Sequence, residues 1–300
     1  MKLLSVATSA LVALGSIVSV VNADAYSDAM KEWCDGMSRT PNILTFPGIK
    51  ITFPSTTTVV GAGSQTKVSV TRVPNQHEKS ITGLDLYMVE GGSAKYINNI
   101  WHGMYSLNTQ ASITDTIPAN TTAGLYYYRV WVTNMIQGQQ GPACTPTSAT
   151  FKVTSAGHTN DDGTTTQDDP NDTTLYNPEY QKGCFGLDVK YPAEGQTVDI
   201  GKHLRLQLHR DSASQTDELL QVDLFKGDPS NQGQFVQSIF TGEESINNIL
   251  TLKDHIVLPS NVTSDGDFFY SLKVSSDKVD KTQDSCTFYS KNFKITESSN

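Results

Sequence analysis

Residues 124–132, Gly-Leu-Tyr-Tyr-Tyr-Arg-Val-Trp-Val, alternate along their length, with Tyr126, Tyr128, Val130 and Val132 on one face and Tyr127, Arg129 and Trp131 on the other. Alternation of period two marks a β-strand with one face buried, and Gly124 supplies a turn before it. The pattern returns 142 residues later: Gly266 precedes Phe268, Tyr270, Leu272 and Val274 inward, and Phe269, Ser271 and Lys273 outward. Cys144, Phe151, Val153 and Thr154 recur as Cys286, Phe293, Ile295 and Thr296 at the same offset. Further upstream the offset is 138: Val68 to Arg72 return as Leu206 to Arg210, and Leu84 to Tyr87 as Val222 to Phe225. A repeat this long means two similar domains in series, since solenoid units run to ~20–50 residues.

The other segments carry the same signal. Leu84, Leu86 and Met88 alternate with Asp85, Tyr87 and Val89, and Leu204, Leu206 and Leu208 with His203, Arg205, Gln207 and His209. Six or seven short strands over ~100 residues, separated by turn residues, predict an immunoglobulin-like or fibronectin-III-like β-sandwich. The chain is therefore expected to be all-β, with two tandem sandwich domains at residues 26–154 and 184–296 and a short tail at 297–300. Residues 155–183 hold Asp161, Asp162, Asp168, Asp169 and Asp172, many threonines, Pro170 and Pro178. So polar a stretch buries too little surface to offset its ordering entropy, and it reads as an exposed acidic linker.

Residues 1–25 read as a secretory signal: Lys2, a largely apolar run from Leu3 to Val21, and an Ala23-Asp24-Ala25 cleavage site. Gly15, Ser16, Ser19 and Asn22 interrupt the run, which falls short of the ~20 apolar residues that a span needs. The C-terminal residues lack a GPI-directing tail, so a secreted chain without membrane insertion is expected. Asn120, Asn171 and Asn261 open glycosylation sequons. Asn120 and Asn261 fall at matching places, two residues after Pro118 and Pro259. The duplication also selects among the cysteine pairings: Cys34 with Cys144 and Cys184 with Cys286 make each copy self-contained. Each bridge closes a long loop, for ~3–5 kcal/mol in the chain-entropy picture. Residues 26–154 hold nine Lys or Arg against seven Asp or Glu, so the rest of the chain carries more than the whole of the formal charge of −9. That balance argues against nucleic acid and anionic membranes as partners.

Ile51-Thr52-Phe53-Pro54, then Val60-Gly61-Ala62-Gly63-Ser64 and Val68-Ser69-Val70-Thr71, with closing strands Ser148 to Val153 and Ser290 to Ile295, resemble a fungal wall module. The module is the immunoglobulin-like N-terminal unit of Kre/Knh-type proteins of β-1,6-glucan assembly and of serine/threonine-rich GPI-anchored surface proteins. The second copy opens with Val189-Lys190-Tyr191-Pro192 and Gly195. Three features depart from that family. Arg72 and Arg210 stand where it often has tryptophan, no serine/threonine-rich stalk follows, and the module is doubled. The resemblance implies fungal origin, the sandwich fold and a wall or extracellular setting, and it carries no catalytic residues.

Motifs for hydrolytic, zinc or nucleotide chemistry are absent from the sequence. The cysteines and histidines lack metal-ligand spacing, so no cofactor or metal is expected. His77, His102, His158, His203, His209 and His255 share no position between the copies and read as surface residues. The acidic positions shared by the copies, Asp85 and Asp223, fall on outward strand faces and read as solvated or ion-paired. Trp33, Trp101 and Trp131 all lie in the first copy, and Lys273 and Phe269 replace Trp131 and Tyr127 in the second. Trp131, Tyr127 and Trp101 are thus the candidate sugar-stacking residues. The alternative is that this face packs under a loop or the other domain. The expectation is a secreted non-catalytic glycoprotein of the wall or extracellular matrix, with polysaccharide (β-glucan or chitin) or surface proteins as partners. The alternatives are an extracellular carbohydrate-active enzyme or its accessory, and a secreted host or cell interaction protein.

Overall fold

The computed structural model describes Cys34 and residues 48–74, 78–136, 139–159, 161–163, 165–166, 168–231, 233–278 and 285–297. The signal segment, Trp33 and His77 lie outside these residues. The first module runs through β1 (Lys50–Phe53), β2 (Val59–Gly61), β3 (Gln65–Thr71), β4 (Glu78–Glu90) and β5 (Ser93–Ser106). It continues through β6 (Gln110–Thr116), β7 (Gly124–Ile136), β8 (Gln139–Cys144) and β9 (Phe151–Thr154). A small hairpin, β10 (His158–Thr159) and β11 (Thr165–Thr166), and a one-turn helix, α1 (Pro178–Gln181), lead to the second module. That module comprises β12 (Leu187–Tyr191), β13 (Gln196–Asp199), β14 (His203–Arg210), β15 (Thr216–Lys226), β16 (Gln234–Ser245), β17 (Ile249–His255), β18 (Asp267–Ser276), β19 (Cys286–Tyr289) and β20 (Phe293–Thr296).

In the first module, sheet β1-β3-β6 faces sheet β2-β9-β7-β4-β5, with β8 paired to β7. In the second, β12-β14-β17 faces β13-β20-β18-β15-β16, with β19 paired to β18. Strand for strand the two arrangements coincide, down to parallel pairs β2/β9 and β13/β20 and cis peptides at Phe53-Pro54 and Tyr191-Pro192. The molecule is thus two β-sandwiches in series. Among the described residues each has nine strands where the sequence predicts six or seven, because pieces such as β2, β13 and β19 are too short for turn signals alone to separate.

Alternation places the cores as expected. Val68, Val70, Leu84, Leu86, Tyr128, Val130, Val132 and Phe151 meet between the first pair of sheets. Leu206, Leu208, Val222, Leu224, Tyr270, Leu272, Val274 and Phe293 meet between the second. Each core buries one phenol on one carboxylate: Tyr128 donates to Asp115 at 2.6 Å and Tyr270 to Asp254 at 2.7 Å. Burial pushes both phenols above their ordinary range.

The expected disulfides are present, Cys34–Cys144 and Cys184–Cys286, with Cα separations of 5.5 and 5.2 Å. Each ties the segment ahead of the first strand to the short β8 or β19 beside the central strand. Asn120, Asn171 and Asn261 are exposed. Asn120 and Asn261 sit in matching turns, in which Thr121 and Val262 donate to the carbonyls of Pro118 and Pro259.

The linker does not behave as a free spacer. Tyr176 is buried and donates to the Val153 carbonyl at 3.0 Å, and Thr150 donates to the Gln181 carbonyl at 2.6 Å. Tyr176, Tyr180 and Phe185 pack with Val89, Leu125, Tyr127, Tyr87 and Ala94 in a third apolar cluster, on the outside of the first sandwich. The buried rings of Tyr176 and Phe185, with Tyr180 half-buried beside them, outweigh the polar composition around them, since fully burying such a ring stabilises by about 1.5–3 kcal/mol. Module-to-module hydrogen bonds extend the contact. Gln215 donates to the Ser148 carbonyl at 2.8 Å, Lys278 to the Thr147 carbonyl at 2.6 Å, and the Gly186 amide to the Gly92 carbonyl at 2.8 Å. Gly92 has φ +78°, and a Cβ there would lie 3.1 Å from the Tyr180 hydroxyl.

Candidate functional site

The outer face of β7, β4 and β5 is organised in cross-strand rungs. Trp131, Gly83 and His102 form one, Arg129, Asp85 and Asn99 the next, and Tyr127, Tyr87 and Tyr96 the third. Opposed residues on one face of a ladder are direct neighbours, so each rung is a contact unit.

In the first rung Gly83 leaves the space that Trp131 uses. A Cβ on Gly83 would lie 3.1 Å from the indole Cδ1, so the ring lies over the glycine. The indole N–H donates to Asp85 Oδ2 at 2.5 Å, and Asn99 Nδ2 donates to Asp85 Oδ1 at 2.7 Å. The Arg129 guanidinium stands 5.1 Å from the indole centroid and donates to Thr145 Oγ1 at 3.1 Å. Trp131 keeps 36% of its surface exposed. Asp85 is buried, not solvated as the alternation suggested. Oδ2 orients the indole while Oδ1 is held by Asn99, and a buried carboxylate is tolerated because both oxygens are hydrogen-bonded.

Tyr127 is no part of an open face. It is fully buried, stacked on Tyr87 at 5.3 Å and tilted against Phe185 at 5.4 Å. Its hydroxyl donates to the Ala213 carbonyl at 2.7 Å, and burial holds the phenol above its ordinary range. The outward aromatic at this position is the seat of the second module.

Trp101 faces the other way. It pairs with Leu84 and packs, half-buried, against the first core, over Gly103. Phe240 lies over Gly242 at the equivalent place in the second module, which identifies a structural lid. Three residues of β5 share the outer face with Trp131: Tyr96 and Asn99, which the sequence did not single out, and His102, which it read as a surface residue, all exposed. Their facing was hidden because the β4/β5 register shifts three times, and each extra residue inverts the period-two reading downstream.

The second module repeats the third rung as Phe269, Phe225 and Phe235, but Tyr289 covers Phe269 edge-on at 5.8 Å. Tyr289 stands where the first module has Thr147, the residue beneath Gln215 and Lys278. The other two rungs lose their chemistry, reading Lys273, Gln221, Thr241 and Ser271, Asp223, Ser238.

His203 and His255 face each other across β14 and β17 with ring centroids 4.9 Å apart, a proximity the linear sequence does not reveal. Among the described residues, no three His, Cys, Asp or Glu side chains gather as a metal site would require. No helix among them is long and apolar enough to cross a membrane.

No family model matches the chain, and none of the curated proteins matches it. Among solved structures it is similar to the fibronectin(III)-like modules of CbhA from Clostridium thermocellum, at 13% identity and a TM-score of 0.21, over 83% of this chain and 93% of that one. A chimeric titin Z1Z2-Z1Z2 tandem shares 15% identity over 81% of this chain and 95% of that one, with a TM-score of 0.22. A chimeric titin Z1Z2 shares 14% over 86% and 100%, also at 0.22. These likenesses add nothing to the sandwich class that the strand pairing itself establishes.

Proposed function

We propose that the chain is a secreted, non-catalytic glycoprotein of the fungal wall or extracellular matrix that binds wall polysaccharide, β-glucan or chitin, through the outer face of its first module. The observation that carries this reading is the Trp131 site. A partly exposed indole packs against Gly83 and donates to a carboxylate that also accepts from Asn99, with the Arg129 guanidinium over its ring. A fixed aromatic surface beside hydrogen-bonding groups suits a sugar, whose ring presents an apolar face and polar edges, and preorganisation reduces the ordering cost of binding. Two disulfides and three exposed sequon asparagines accord with an extracellular setting. The docked second module turns the tandem into a fixed body, a mount for one binding face.

The test is co-sedimentation of the mature protein with insoluble β-glucan, chitin and whole fungal walls, with sugar release measured in the supernatant. Retention on a polymer without sugar release supports the reading. Release of reducing sugar would replace it with an enzyme, and absence of retention on all three would remove polysaccharide as the partner.

A further inference from the structure

Resting on the polysaccharide reading, we infer that the ligand is an uncharged, extended glycan that crosses the first module diagonally, from Trp131 on β7 to Tyr96 on β5. The rungs set the path. Tyr127 and Tyr87 are taken up by the second module at the third rung, but Tyr96 at its outer end remains 53% exposed, set edge-on to Tyr87 at 5.6 Å. The open aromatic surfaces of this face are therefore Trp131 at one corner and Tyr96 at the other.

Between them lie Asn99, exposed, and Arg129, half-buried, both on the middle rung. These side chains can meet hydroxyl groups. The Asp85 carboxylate is enclosed and already accepts from Trp131 and Asn99, so it has no role as a partner for a cationic sugar. Two rungs along the strands and two strands across separate the corners by about 17 Å of backbone, from strand rise and spacing. A mono- or disaccharide cannot span that distance, whereas a short oligosaccharide can. The docked module borders the third rung, so the path lies along the edge of an interface that the fold already fixes.

The equivalent diagonal in the second module runs from Lys273 to Phe235 past Ser271 and Ser238. It has no indole and no guanidinium, which makes that module an internal control.

The experiment titrates the mature full chain with a length series of soluble β-glucan and chitin oligosaccharides by calorimetry, for the native protein, Trp131→Ala, Tyr96→Ala and Tyr96→Phe. Affinity is expected to rise with length and then level off. Tyr96→Ala should weaken the long oligomers about tenfold, or 1.4 kcal/mol, and leave the shortest binders unchanged, with Tyr96→Phe restoring the native value. Binding that depends on Trp131 but is indifferent to Tyr96 at every length overturns the diagonal path and leaves the polysaccharide reading standing. Absence of binding by the native protein, or binding that Trp131→Ala leaves unchanged, overturns both. Tyr96 is exposed, and circular dichroism establishes that its variants are folded.

Discussion

The hydroxyl of Tyr127 and the carbonyl of Ala213, 86 positions apart, meet at 2.7 Å and join the two sandwiches. The bond sits in a contact that also includes Phe185 tilted against the Tyr127 ring and Gln215 reaching Ser148. Removing the hydroxyl alone isolates its contribution. Tyr127→Phe keeps the packing and leaves a buried carbonyl without its donor, so about 1 kcal/mol of stability should be lost. Thermal unfolding monitored by circular dichroism measures it, and no change would mean that water replaces the phenol.

The second module supplies a way to open the joint. Tyr289 occupies the position of Thr147 and covers Phe269 in place of a docked partner. Thr147→Tyr should therefore force Gln215 and Lys278 away, at about 1–3 kcal/mol of overpacking. The maximum dimension from solution X-ray scattering should increase while each sandwich stays folded. An unchanged scattering profile would contradict the dependence of the joint on a small residue at position 147.

Gly83 makes the Trp131 site possible. A valine there must push against the indole, whose Cδ1 lies 3.1 Å from the would-be Cβ. Gly83→Val should abolish the hydrogen-bonded indole N–H signal of Trp131 in the NMR spectrum and reduce polysaccharide retention. Stability should change by no more than about 1 kcal/mol, the range of strand propensities.

The buried Asp254 gives a pH signature. Burial raises its carboxyl above the usual range, against the lowering effects of the Tyr270 hydroxyl and of His255 and His203. The folded state then holds this proton more tightly than the unfolded chain does. The contribution is therefore fully present below the unfolded value of about 3.9 and is lost as pH rises through the folded pKa. Asp254→Asn keeps an acceptor for Tyr270 and removes the titration. Its stability relative to the native chain, from urea midpoints, should grow from about pH 4 upward and then level off. A difference independent of pH would contradict the assignment.

The strands nearest the core were the most legible in the sequence. The inward set of Tyr126, Tyr128, Val130 and Val132 and its repeat follow from alternation, because a sheet with one buried face admits a single register. The cysteine pairs followed from the duplication. What alternation cannot tell is what covers an outward face. Tyr127 and Trp131 lie four residues apart on the same side of β7, yet one is sealed beneath Phe185 and the other remains partly open. That difference belongs to docking, which depends on Thr147 being small, and on Tyr176, Tyr180 and Phe185 lying at the end of a stretch whose average composition is polar. Trp101 was misplaced for a local reason: the irregular register of β5 turns it towards the core, over Gly103.

The most direct measurement compares native protein, Trp131→Ala and Lys273→Ala for retention on insoluble β-glucan and chitin. If the first module holds the polysaccharide through its indole, the native chain and Lys273→Ala sediment with one of the polymers and folded Trp131→Ala stays in solution. Equal retention of all three, or of none, would contradict the account.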